Sequence, residues 1–216
     1  MTTSPVIGNR RRVTGAVLLA LSLSWSWTFA ATVAVAQSPK PNTPSAKDFP
    51  ISFGGPFSLI DHEGQARSDR DFRGRYVLIY FGYTQCPEIC PTGLQTIGAA
   101  LDLVGEAAAK VQPIFISVDP DRDRPDVLKR YISQFHPRLI GLTGSENQVR
   151  EAARAYHIYR GKVVLPDTPK SDYLVTHTPT TFLMGPDGKF VTLFPHDTDA
   201  EVMAKALRRY LSGGAS

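Results

Sequence analysis

Residues 76–91 read YVLIYFGYTQCPEICP, and the fold turns on this stretch. Tyr76 to Gly82 is a continuous apolar run, the pattern of a β-strand buried on both faces of a sheet. Beyond it Leu94, Ile97, Leu101 and Val104 recur at helical spacing, which predicts a helix starting near Pro91. Between strand and helix lie Cys86 and Cys90, the chain's two cysteines. Backbone N–H groups at a helix N-terminus stabilise negative charge on sulfur, so a close pair at this turn is placed where thiolates become reactive.

Working outward, Val111 to Val118 reads as a second buried strand and Leu139 to Leu142 as a third, short one. Pro125 to Phe135 reads as a helix with proline in its first turn. Ser145 and Gln148 form a capping box that opens a helix running to Tyr156, and Thr198 and Glu201 form a second one opening the last helix. Thr181 to Met184 and Phe190 to Phe194 flank Pro186-Asp187-Gly188-Lys189 and make a hairpin by turn chemistry. Near the start of the domain, Phe57 to Gln65 reads as a hairpin turning at Glu63 and Gly64. Strands alternating with helices and closing in a hairpin plus helix predict an α/β fold, a central mixed sheet flanked by helices with an N-terminal hairpin extension.

This domain spans residues 51–216. Residues 1–36 read as a targeting segment, with Arg10, Arg11 and Arg12 ahead of an uncharged stretch from Val13 to Ala36. Ala34-Val35-Ala36 is a small-x-small cleavage pattern, yet the stretch is also long enough to span a bilayer. Cleaved signal and uncleaved membrane anchor both stand, and both predict export to the periplasmic side of a bacterial inner membrane. Residues 37–50, QSPKPNTPSAKDFP, suit an extended proline-rich linker. The formal charge of +4 comes largely from the three N-terminal arginines; without them 21 basic residues face 20 acidic ones. That balance, with no basic patch interleaved with aromatics, argues against a nucleic-acid partner.

The cysteine spacing allows several chemistries. Two thiolates and one imidazole suit Cu(I), a soft ion that accepts low coordination. The same pair is within bridging range for a disulfide, although so short a loop gains little closure entropy. Two buried, inert thiols are the remaining plain reading, which Pro87, Glu88 and Pro91 around the pair count against. His177 is the candidate third donor. It lies in a predicted loop just before Pro179, the place taken in thioredoxin-like folds by the loop that packs against the cysteine turn.

The segments FGYTQCPEICPT (81–92), FISVDPDRDRPDVLKRYISQFHP (115–137) and DYLVTHTPTTFLMGPDGKF (172–190) resemble, in order and spacing, the three signature blocks of the Sco/SenC family. The resemblance runs from about Phe53 to Leu211. It implies a thioredoxin-like fold, membrane attachment, and copper, as Cu(I), Cu(II) or both, held by Cys86, Cys90 and His177. It further implies delivery of that copper to the binuclear site of cytochrome c oxidase subunit II, with other copper chaperones as further partners. The competing function is a thiol–disulfide oxidoreductase in which Cys86 and Cys90 cycle, since ligation and exchange use the same thiolates. A peroxidase of the peroxiredoxin type fits less well: Thr84 stands two residues before Cys86 where that family has three, and Tyr80 takes the place of its proline.

The run Asp119-Pro-Asp121-Arg-Asp123 starts like a calcium loop, but Arg124 and Arg130 stand where that loop needs glycine and glutamate. It reads primarily as a solvated loop, with the family alternative that Asp119 or Asp123 lies beside the copper site. His62, His136, His157 and His196 read as structural or surface residues.

Overall fold

In the computed structural model the described residues are 53–213, apart from 165, 168, 170 and 171. The targeting segment and the linker therefore lie outside the described residues. The described residues belong to one compact unit.

A hairpin opens it, β1 (Ser58–Asp61) pairing antiparallel with β2 (Ala66–Ser68) through a turn at Gly64. A single 3-10 turn, Asp69–Phe72, leads to β3 (Tyr76–Gly82). Then follow α1 (Ile89–Val104), β4 (Val111–Ser117), α2 (Pro125–Ile132), β5 (Ile140–Thr143) and α3 (Glu146–Ala155). The chain closes with β6 (Arg160–Val164), β7 (Tyr173–His177), β8 (Thr180–Met184), β9 (Phe190–Pro195) and α4 (Ala200–Leu211). Seven strands form one mixed sheet in the order β2-β1-β5-β4-β3-β8-β9. The pairs β3–β4 and β4–β5 are parallel, and the remaining neighbours are antiparallel.

β3 and β4 sit in the middle of this sheet and are covered on both faces, which is why their sequences are apolar almost throughout. On one face Tyr80 stacks on Phe115, with Gly93 of α1 against the Tyr80 ring and Tyr131 of α2 against Phe115. Tyr76, on the same side, donates its hydroxyl to the Tyr210 carbonyl of α4. On the other face Phe81 and Phe182 pack with Tyr156, just after α3, and with Phe53. Each large apolar side chain so buried contributes about 1.5–3 kcal/mol relative to exposure.

Three local readings differ from the sequence-based expectation. α2 ends at Ile132 rather than Phe135, because Gln134 and Phe135 donate to the carbonyls of Tyr131 and Ile132, three residues back, and the helix tightens into a turn. The box at Thr198 does not form: the cap of α4 is Asp199, without a side-chain bond, while the Thr198 N–H donates to Pro195 in a preceding turn. The box at Ser145 and Gln148 does form, with both reciprocal bonds. The third difference is a ribbon, β6 paired antiparallel with β7, where only loop is expected. It joins no strand of the main sheet, and β6 is largely exposed, so neither periodicity nor burial marks it in the sequence. His177 ends this ribbon instead of lying in a loop.

Candidate metal centre

The site is built where β3 runs out. Gly82 lets two elements close over the strand end: a Cβ there would lie 2.7 Å from Phe115 Cε2 and 2.8 Å from Cys90 Sγ. The chain then turns, Cys86 N–H donating to the Tyr83 carbonyl at 3.2 Å, and α1 begins at Ile89. Glu88, at the cap position, makes no side-chain bond to the helix. Cys86 Sγ instead accepts from the Cys90 N–H at 3.4 Å, so the sulfur takes the place of a capping oxygen.

This position sets the chemistry of the pair. The side-chain hydrogen bond from Cys90 lowers the Cys86 thiol to about 6, helped by backbone N–H bonds from Cys90 and Glu88 and by the field of His177. Cys90, the donor, is pushed up by the same bond and by burial. Both are free thiols, with Cys90 wholly buried and Cys86 8% exposed. At neutral pH the pair therefore carries one negative charge, on the outer sulfur. In the reduced, metal-free protein, alkylation of Cys86 by iodoacetamide should rise with pH through a midpoint near 6. Peptide mapping showing an ordinary midpoint of about 8.5, or faster modification of Cys90, would contradict this assignment.

His177 approaches from the ribbon. Its Nε2 lies 3.5 Å from Cys90 Sγ, and its Nδ1 is 3.2 Å from the Val175 carbonyl. A carbonyl only accepts, so Nδ1 carries the proton in that bond and Nε2 is the nitrogen turned to the sulfur. The ring stands edge-on to Tyr83, centroids 5.7 Å apart. Among the described residues no three Cys, His, Asp or Glu side chains already form a closed metal-binding group. His177 touches Cys90 and acts on Cys86 only through its field, so an ion would have to draw the donors together.

Two of the three carboxylates of the acidic loop are not solvated, which corrects the primary sequence reading, while Asp121 is exposed as expected. Asp119 and Asp123 are both wholly buried. Asp123 accepts from Thr84 N–H at 3.0 Å, Thr84 Oγ1 at 2.6 Å and Ser117 Oγ at 2.7 Å, fastening the cysteine loop to the end of β4. Burial pushes its carboxyl up against the opposing pull of these bonds. Asp119 accepts from Arg122 Nε and from the Tyr173 hydroxyl of β7. Buried polar groups need such partners, and here the partners come from the two segments that carry the sulfurs and the imidazole.

Both thiols are buried although Pro87 and Glu88 beside them are exposed. The first turn of α1 is packed against Gly82 and Tyr80, which leaves only Cys86 near the surface. Gly82, Tyr83, Arg122 and Tyr173 escaped the sequence reading; none carries a spacing signal, and the ribbon that gives three of them their contacts was not foreseen. The other histidines are structural or surface residues, as expected: the Nδ1 atoms of His62 and His136 accept from the Gly141 and Arg138 N–H groups, and His196 is exposed. His157 packs edge-on against Phe53.

The sequence profile described as SCO1/SenC matches residues 45–212. The sco1 protein of Schizosaccharomyces pombe is 42% identical over 158 residues, 73% of this chain and 60% of that protein. The mitochondrial SCO2 homolog of Mus musculus is 42% identical over 163 residues, 73% of this chain and 62% of its own length. The match thus spans about three fifths of each of these relatives. The structure of Bradyrhizobium japonicum ScoI with copper bound superposes with a TM-score of 0.67 at 43% identity, covering 73% of this chain and 99% of that one. The fold shared with the Bradyrhizobium structure is the thioredoxin-like one, a central mixed sheet flanked by helices.

Proposed function

This chain belongs to the SCO1/SenC family, and from that premise we propose that it is a copper metallochaperone of cytochrome c oxidase assembly. Cys86, Cys90 and His177 are its copper ligands, and subunit II of the oxidase is the recipient, with other copper chaperones as further partners. The observation that carries the reading is the contact between Cys90 Sγ and His177 Nε2, with the ring's other nitrogen tied to a carbonyl. Dithiol exchange needs no such third donor. A thiolate pair with one imidazole suits Cu(I), and the copper-bound state of the Bradyrhizobium relative supports the same cargo.

In this reading the residues act in sequence. Cys86 enters as a thiolate, and Cys90 releases its proton when metal replaces that proton as the partner of both sulfurs. His177 presents Nε2 to the sulfur pair while its Nδ1 stays bonded to the Val175 carbonyl. Cys86, the less buried sulfur, is the group that an incoming thiolate of the recipient can compete with first. The domain works outside the cytoplasm, held by or released from the segment 1–36 through the linker 37–50. Among the described residues no helix is long and apolar enough to cross a membrane.

The asymmetry of the two thiols favours a second reading beside the first. Cys86, as thiolate, attacks a disulfide of the recipient; the Cys90 thiolate then displaces the mixed disulfide. Two protein thiols are oxidised to one disulfide, and the recipient's disulfide is reduced to two thiols. One experiment separates the readings. The reduced domain, loaded with one Cu(I), is mixed with the reduced, copper-free soluble domain of subunit II; the metal-free domain is mixed with the oxidised form. Copper should appear on the recipient in the first mixture. Copper retained by the donor, with thiols generated only in the second, would overturn the chaperone reading in favour of the oxidoreductase.

A further inference from the structure

The strand that carries His177 is not part of the main sheet, so something other than sheet hydrogen bonds must place the imidazole. β6 is fastened by Arg160, which donates to the Val118 carbonyl and pairs with Glu146, and by the exposed pair Lys162–Asp121. Exposed pairs of the last kind contribute little. β7 itself meets the cysteine loop, and there the contacts converge on Arg122.

Arg122 Nη1 donates to the Gln85 side-chain oxygen at 2.8 Å and to the Tyr173 carbonyl at 3.0 Å. Gln85 immediately precedes Cys86, and Tyr173 is the first residue of β7. Arg122 Nε donates to Asp119, which also accepts from the Tyr173 hydroxyl at 2.8 Å. The guanidinium carbon lies 3.8 Å from the Tyr173 ring centroid and 5.8 Å from that of Tyr83, the ring against which His177 stands. One planar cation thus bonds the cysteine loop, the loop after β4 and the histidine ribbon at once. A lysine, a point charge without a fork or a flat face, cannot reproduce this. Arg122 Nη2 is buried without a hydrogen-bond partner.

We infer that Arg122 is the positioning residue for His177, holding β7 against the cysteine loop so that Nε2 faces Cys90 before any metal arrives. The inference rests on the copper reading for its consequence, though not for its geometry. Its effect is exerted through the histidine: Arg122 touches neither sulfur nor imidazole, and removing it lets the ribbon open while the main sheet stays intact.

The test uses the full chain, reduced, with Arg122→Lys and Gln85→Ala, each alone and combined with His177→Ala. In the metal-free protein, amide exchange of Leu174 to His177 should quicken by about tenfold in Arg122→Lys, as when a charge-assisted hydrogen bond is lost. Exchange in β3 and β4 should not change. Cu(I) affinity, read by competition with a chromophoric chelator, should fall by about tenfold. In the His177→Ala background the same substitution should change it by less than about twofold, since residues acting through one another are not additive. Gln85 is exposed, so Gln85→Ala keeps the fold and should show the same pattern more weakly; it decides the matter if Arg122→Lys does not fold. Unaltered exchange in β7, or an equal affinity loss with and without His177, overturns the inference. If the wild-type chain binds no Cu(I), the copper reading fails, and the exchange measurement still decides the positioning role.

Discussion

Gly82→Ala should abolish tight copper binding and destabilise the domain by about 1–3 kcal/mol, the range for forcing a methyl into a packed core. The new Cβ would stand 2.7 Å and 3.3 Å from two atoms of the Phe115 ring and 2.8 Å from Cys90 Sγ. Neither neighbour can step aside cheaply. Phe115 is wholly buried and held between Tyr80 and Tyr131. Cys90 is fixed in the first turn of α1, its N–H bonded to Cys86 Sγ. The strand cannot yield either, because Gly82 accepts from the Val118 N–H at 2.8 Å at the end of the β3–β4 pairing. The relief available is to drive the Cys90 sulfur away from His177, which removes the one direct contact between the sulfur pair and the imidazole. Urea unfolding and a Cu(I) competition titration read the two effects separately. Wild-type values in both would show that the close packing at Gly82 does not hold the site.

Much of this arrangement is written locally in the chain. The run from Tyr76 to Gly82 announces a central strand because both faces of β3 are covered, and every residue from Val77 to Gly82 is buried. The box at Ser145 and the turn at Pro186 to Lys189 are short-range chemistry and appear as read. The cysteine turn is legible for the same reason, sulfur and helix N-terminus being neighbours in sequence. What could not be read is the ribbon. Arg160 to Val164 is a half-exposed strand whose partner begins nine residues later, and side chains rather than a sheet hold it. With the ribbon unseen, the contacts of Arg122 and Tyr173 could not be foreseen, and Asp119 and Asp123 looked solvated. Their burial depends on Tyr173 and Thr84, residues 54 and 39 positions away. His177 was marked only by a resemblance and by Pro179 beside it; its approach to Cys90 spans 87 positions.

The other large effect is expected at His177 itself. His177→Ala removes the single nitrogen that meets Cys90, while the fold should persist, since the ring is only partly buried and its remaining ties are the Val175 carbonyl and Tyr83. Two thiolates would remain, and Cys86 would lose the favourable field of the imidazole. Loss of an outer partner of a metal ligand costs about 10–100-fold in affinity, so loss of the ligand should cost at least about 100-fold. The central claim is that Cys86, Cys90 and His177 act together on one copper ion. Its most direct test is a Cu(I) titration of the reduced chain and its His177→Ala variant against a chromophoric chelator. The account predicts one copper per wild-type chain and an affinity at least about 100-fold lower in the variant; equal affinities in the two would contradict it.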